Sequence, residues 1–211
     1  MNNNNPKNVF NDCSLQYQDK FMDFDLHNDS FDLFCELIEN KNASVLEIGC
    51  GPGNITKYIL NKRPDIKLLG IDIAPNMIQL AKKNNPLTIF KVMDCKNILD
   101  INLKFDAILC GFTLPYLTKQ KVLLLIENAS VLLKPNGILY LSTMEDSYEK
   151  SNFLVSSSDK SKGIFTYYHE IEYLTKFLQE NNFNVIETIR KEYPEPKDES
   201  IDLIVIAKKL S

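Results

Sequence analysis

The chain has 211 residues, 44% hydrophobic and 25% charged, an ordinary globular balance in a length that suits one domain. A formal net charge of -4 and a pI of about 5.3 argue against a wide phosphate-binding face, so a nucleic-acid partner is not expected. No apolar run reaches membrane-spanning length, and the five cysteines, odd in number and without C-x-x-C spacing, argue against a disulfide framework or a zinc site. Reduced thiols in a cytoplasmic protein without a metal centre are the expectation.

The first eight residues, rich in Asn and without an apolar core, read as a disordered tail and not as a signal peptide. Residues 10–26 are rich in Phe, Tyr and Asp; Leu15, Tyr17 and Phe21 share one helical face, with Phe24 close by. This stretch is either a lid or permanent core. Asn28-Asp29-Ser30 offers a helix cap, and Phe31, Phe34, Cys35, Leu37 and Ile38 form an amphipathic face reaching about residue 40. Residues 10–40 thus form an N-terminal helical segment ahead of a core over 43–211.

That core is organised around Val45-Leu46-Glu47-Ile48-Gly49-Cys50-Gly51-Pro52-Gly53-Asn54. A mostly apolar run enters three glycines at alternate positions, and Ile55, Tyr58 and Ile59 follow at helical spacing, which reads as buried strand, tight turn and helix. Glycine permits positive φ and close approach of a ligand to bare backbone, and the helix start offers free N–H groups. Residues 67–72 form a second strand ending in Asp72, nineteen residues after Gly53, where a doubly wound fold places a ribose-holding carboxylate. The spacing G-x-G-x-G differs from the dinucleotide fingerprint G-x-G-x-x-G, so a ligand with ribose and no pyrophosphate fits better than a nicotinamide dinucleotide.

Ala74-Pro75-Asn76 starts a helix with Met77, Ile78 and Ala81 inward; 87–92 is a third strand and 105–110 a fourth. Thr118 caps a long helix carrying Val122, Leu125, Ile126, Ala129 and Leu132, the segment 134–137 reads as a turn, and 138–143 is the fifth strand. A polar stretch, 145–168, emerges at the carboxyl edge of the sheet as a substrate lid or a loop. A helix over 169–179 and strands over 184–190 and 201–207 follow, the last two joined too closely for a parallel crossover. The expected fold is α/β and doubly wound: a seven-stranded, mostly parallel sheet with an antiparallel last strand.

The run from Glu47 to Gly53, with Asp72, resembles motif I and the ribose-binding acid of the class I S-adenosylmethionine (SAM) dependent methyltransferases, which share this Rossmann-like sheet. The resemblance covers the chain from about residue 43 onward and implies SAM as cofactor and S-adenosylhomocysteine (SAH) as product. It implies that Gly49, Gly51 and Gly53 bring backbone against the methionine part of SAM, with Cys50 contributing backbone between them. Glu47 would meet the amino group, or else be a strand carboxylate satisfied by a neighbouring amide. Asp72 would hold the ribose hydroxyls, the alternative being a helix cap. Ile73 and Met77 would pack near adenine and ribose, or be plain core. Asp94 and the Cys95 N–H would meet adenine, unless Asp94 merely caps a turn. Cys110 and Gly111 would present backbone to the amine.

Asp106 begins its strand and so points to the wrong end of the sheet. Tyr17, Phe112 and Tyr116 offer aromatic faces to a sulfonium, or are core. Methyl transfer needs alignment more than a fixed catalytic set, and none is evident. His169, next to Tyr167 and Tyr168, is a candidate base or a solvated residue in a first helical turn; Tyr116 and Tyr17 are the other candidates, and His27 is weaker. The reading is a cytoplasmic methyltransferase acting on a small molecule; the rival is a non-catalytic SAM-binding sensor or partner subunit.

Overall fold

The computed structural model describes residues 5–155, 163–192 and 201–211. The sheet forms because apolar runs alternate with amphipathic helices. β1 (Ser44–Ile48), β2 (Lys67–Asp72), β3 (Ile89–Val92), β4 (Phe105–Cys110) and β5 (Leu133–Glu145) pair in parallel. The helices between them are α4 (Asn54–Lys62), α5 (Pro75–Asn84) and α6 (Lys119–Leu132). β8 (Phe183–Glu192) and β9 (Ile201–Lys209) close the sheet, β9 running antiparallel to β5 and to β8. The order is β3-β2-β1-β4-β5-β9-β8, seven strands with the reversed strand inserted second from the edge. The reversal of direction was expected from the short connection between the last two strands, which falls at 193–200, outside the described residues.

Period-two alternation sends each strand's side chains to both faces. On one face Leu46, Ile48, Ile71, Ile108, Leu139 and Val205 pack against Val122, Leu125, Ile126 and Ala129 of α6 and Leu174 and Leu178 of α7 (Ile171–Glu180). On the other, Val45, Leu68, Leu109, Tyr140, Ile204 and Ile206 pack against Phe31, Phe34 and Cys35 of α3 (Asn28–Leu37) and Ile59 of α4. Full burial of a side chain such as Phe34, 0% exposed, contributes about 1.5–3 kcal/mol.

Several boundaries differ from expectation. The N-terminal helix begins within the segment expected to be disordered: Asn5 Oδ1 accepts from Lys7 N at 3.0 Å and Pro6 takes the first helical position, giving α1 (Pro6–Asp12). A second helix, α2 (Ser14–Phe21), follows the break at Cys13. The 134–137 turn lies within β5, where Asn136 takes a φ of 62° and the pairing with β4 shifts register between Phe105 and Ala107. The polar stretch after β5, expected to be a substrate lid or a loop, carries regular structure. It holds a hairpin, β6 (Asn152–Val155) with β7 (Gly163–Thr166), whose tip lies outside the described residues. Among the described residues no helix is long and apolar enough to cross a membrane.

Candidate active site

The site forms where β1, β2 and β4 end side by side. After Ile48 the chain turns sharply: Gly49 N and Cys50 N both donate to the Ile71 carbonyl, at 2.8 and 2.9 Å. Gly49 has a φ of +69°, and a Cβ there would stand 1.9 Å from Thr113 Oγ1, so both conformation and space require glycine. Gly51, φ +52°, is different: its nearest neighbour on the Cβ side is a Tyr17 ring carbon at 3.7 Å. A Cβ there would make only ordinary contacts with the Tyr17 ring and Asn54, so it is the backbone conformation that favours glycine. Gly53 precedes α4, its carbonyl accepting from Asn85 Nδ2 at 3.0 Å.

Asp72 ties this turn to β2. Its Oδ2 accepts from Gly51 N at 3.0 Å and its Oδ1 from Ala74 N at 2.8 Å. Burial raises its pKa, and the backbone N–H groups of Ala74, Gly51 and Ile73 oppose that rise. A carboxylate has about four acceptor positions, so hydrogen-bonding capacity is left for a ligand. Asp94 caps the 3₁₀ turn Cys95–Ile101 through Lys96 N at 3.0 Å and pairs with Lys96 Nζ at 3.3 Å; it caps a turn and also lines the cavity. Burial pushes the Cys95 thiol up to about 12.

A cavity of about 370 Å³ brings together Gly49, Gly51, Asp72, Ile73, Met77, Asp94, Cys95, Gly111 and Tyr17, each expected at a cofactor site, with Tyr116. That volume lies in the range of small-molecule sites. Glu47, Cys50, Gly53 and Cys110 do not line it. Cys50 is buried against Ile78, Ala81 and Phe90, and Cys110 is fully buried within β4, so both side chains are core.

Glu47 is the unusual case. It is 1% exposed, its Oε2 accepts from Thr56 Oγ1, and its Oε1 has no partner. Desolvation pushes its carboxyl up to about 8; the Thr56 bond opposes this and the charge of Asp72 adds to it. A buried carboxylate with an unmet oxygen is costly unless a cation or donor meets it. An orphaned acid beneath the glycine turn, with Asp72 at the cavity wall, fits a ligand carrying both an ammonium and a ribose.

Aromatic rings also line the cavity. Phe10 of α1 meets Tyr116 edge-on at 4.7 Å, and Tyr17 of α2 lies 4.5 Å from Phe21. Burial pushes the Tyr116 phenol up to about 12, with the charges of Cys13 and Asp202 adding to the rise, so near neutrality it donates a proton and is not a base. Phe112, also lining the cavity, takes a φ of 47°, a left-handed conformation costing a non-glycine residue about 1–2 kcal/mol. Its N–H donates to Ser142 Oγ at 2.8 Å.

His169 is not at this site. It is 0% exposed; its Nε2–H donates to the Leu114 carbonyl at 2.9 Å and its Nδ1 accepts from the Tyr173 hydroxyl. Burial lowers its pKa. Neither the accessible base nor the solvated residue expected of it is realised, because the chain before α7 folds back under the Leu114–Tyr116 turn. Asp106 lies at the far end of the sheet, holding Ser44 N at 2.8 Å and Lys134 Nζ at 2.8 Å, which agrees with its exclusion.

Sequence reasoning overlooked Asp202 and undervalued His27. The two are buried and bonded at 2.9 Å, and the imidazole packs 4.7 Å from the Phe112 ring. They are separated by 175 residues, and no local pattern signals a pairing made across the sheet.

Residues 46–139 match the family pattern described as a methyltransferase domain. Among curated proteins, the malonyl-[acyl-carrier protein] O-methyltransferase of Acetivibrio thermocellus is 30% identical over 112 residues, 51% of this chain and 38% of that protein. The tRNA N(3)-methylcytidine methyltransferase of Schizosaccharomyces pombe is 23% identical over 161 residues, covering 72% of this chain and 65% of its own length. The chain thus spans less than two thirds of either relative. Among solved structures, the magnesium protoporphyrin IX methyltransferase of Synechocystis PCC 6803 with bound SAM superimposes with a TM-score of 0.72 at 15% identity, covering 96% of this chain and 94% of that one. With the glycine turn, the acid after β2 and the reversed β9 in one architecture, residues 46–139 carry a methyltransferase domain on a fold shared with SAM-dependent methyltransferase structures.

Proposed function

We propose that this chain transfers a methyl group from SAM to a small-molecule acceptor held against the aromatic rings of the cavity. The observation that carries the reading is an unmet buried acid at the end of β1, Glu47 Oε1, together with a cavity-wall acid, Asp72, that holds the Gly51 N–H. An ammonium answers the first and a ribose diol the second.

Bound SAM supplies a methyl group already activated on a sulfonium. The chain's residues do the rest. Glu47 holds the amino group as a carboxylate, directly or through water. Asp72 accepts from both ribose hydroxyls; Asp94 and the Cys95 N–H take the adenine edge, while Ile73 and Met77 pack beside it. Gly49, Gly51 and Gly111 bring backbone to the methionine part, with Gly53, Cys50 and Cys110 supporting the turn and strand from behind.

Tyr17, Phe112 and Tyr116 turn ring faces toward the cationic centre, worth about 0.5–2 kcal/mol of attraction. The N-terminal segment closes from above. Asn11 Oδ1 accepts from Asn76 N at 2.9 Å, Gln18 Oε1 accepts from Asn84 Nδ2 at 2.8 Å, and α1 and α2 bury little apart from Ser14. A segment held by surface hydrogen bonds opens readily and, closed, excludes water. Alignment is the principal catalytic contribution.

A small acceptor is favoured by the mostly apolar lining and by the net charge of -4, which disfavours an RNA surface. The free cysteines among the described residues suit the cytoplasm. The test is a screen with labelled SAM against a metabolite library and total tRNA. Transfer to a small molecule is the expected result. Label in tRNA would replace the acceptor class. Tight SAM binding without turnover, together with a stable protein partner, would favour the sensor.

A further inference from the structure

The aromatic lining of the cavity rests on a buried polar network that cofactor binding leaves unused. Asp202, at the start of β9, accepts from the His27 imidazole Nε2–H at 2.9 Å. The His27 carbonyl accepts from Ser30 Oγ at 2.6 Å, and Ser30 Oγ meets the Tyr140 hydroxyl at 2.9 Å. Two residues beyond Tyr140 on β5, the Ser142 hydroxyl accepts from the Phe112 N–H at 2.8 Å. The His27 ring packs against the Phe112 ring at 4.7 Å, so the bonded run and Ser142 hold the same residue.

Ser30, Tyr140 and Ser142 are 0% exposed, and His27 and Asp202 are 6% and 5%. Burying five polar side chains is costly unless each is satisfied, and a satisfied network is rigid. What it grips is the one cavity-lining side chain whose backbone takes a left-handed φ without being glycine. Such a conformation persists only where the surroundings over-determine it.

We propose that the His27–Asp202 pair, braced by Ser30 and Tyr140 and joined at the Phe112 N–H by Ser142, is a positioning unit for the methyl acceptor. It clamps the Phe112 ring as a fixed wall and so sets which acceptors reach the transfer position. None of the five side chains bonds the glycine turn or Asp72, so their loss falls on the acceptor more than on the cofactor. This inference rests on the methyl-transfer reading of the cavity.

The test places 4-fluorophenylalanine at position 112 of the full chain and follows its fluorine resonance. The native protein should give one narrow line. Asp202→Ala and Tyr140→Phe should shift or split it, while Asp202→Asn, which keeps an acceptor for the imidazole N–H, should restore the native position. SAH affinity by calorimetry should stay within about twofold in all three variants. With an acceptor identified by the labelled-SAM screen, Tyr140→Phe should raise the acceptor KM about tenfold or more with the SAM KM nearly unchanged.

An unmoved line in both Asp202→Ala and Tyr140→Phe overturns the proposal, as does an equal change in the two KM values. Should a variant fail to fold, amide exchange in the unaltered protein still decides: the Phe112 N–H should be among the slow amides, and rapid exchange there refutes the clamp. Absence of SAH binding to the native protein would instead sink the cofactor reading and leave the fluorine result standing.

Discussion

Glu47 and Thr56 meet inside the protein, the threonine hydroxyl donating to one carboxylate oxygen while the other has no partner. The contact joins the end of β1 to the first turn of α4 behind the glycine turn. Burial shifts the Glu47 carboxyl from an ordinary 4.5 up to about 8. A carboxyl whose folded pKa exceeds its unfolded one holds its proton more tightly in the native state, so its contribution to stability is full below pH 4.5 and is lost as pH rises to about 8. The ligand-free protein should therefore melt at a lower temperature toward the top of that window, and Glu47→Gln should flatten the trend. Binding of SAH near neutrality should release about one proton, read by calorimetry in buffers of different ionisation enthalpy. The same release from Glu47→Gln would remove Glu47 from the site.

Asp72→Ala removes the acceptor of the proposed ribose bonds, each worth about 1.5–3 kcal/mol when charge-assisted. SAH affinity should fall at least about tenfold. The same change frees Gly51 N and Ala74 N, so a loss of about 1 kcal/mol of stability should accompany it while the fold persists. Unchanged affinity by calorimetry would show that Asp72 is only a turn-holding acid.

Ligand class is tested by thermal shift. SAM and SAH should raise the melting temperature by binding the native state, and NAD should not. A shift with NAD and none with SAM would contradict the glycine-spacing argument.

The lid is tested by hydrogen exchange. Amides over 10–26 should exchange quickly without ligand and slow when SAH is bound, while α3, with Phe31, Phe34 and Cys35 buried, should be protected in both states. Full protection of 15–24 in the ligand-free protein would make the segment permanent core and withdraw Tyr17 from the site.

His169→Ala should leave the Leu114 carbonyl unsatisfied and open a cavity under the Leu114–Tyr116 turn, costing about 2–4 kcal/mol by denaturant unfolding. SAH affinity should change by less than about twofold. A large loss of SAH binding with full stability would return His169 to the functional residues.

The sequence by itself determined the order of the sheet elements, the reversed final strand, the glycine turn and the acid after β2. Each is written locally, in apolar periodicity, in residues tolerating positive φ, and in a connection too short for a crossover. It also carried Asp94 and Gly111, because strand ends in this architecture converge on one edge. Tertiary structure decided what no local pattern could. Residue 47 carries an acid in either reading; only packing leaves Oε1 buried and unmet while Thr56 meets the other oxygen. His169 stands where a helix start is exposed in isolation, yet the Leu114–Tyr116 turn folds over it. His27 and Asp202 are unremarkable in the sequence, and they become one buried unit because β9 runs back along β5 and delivers residue 202 to the ligand edge of the sheet.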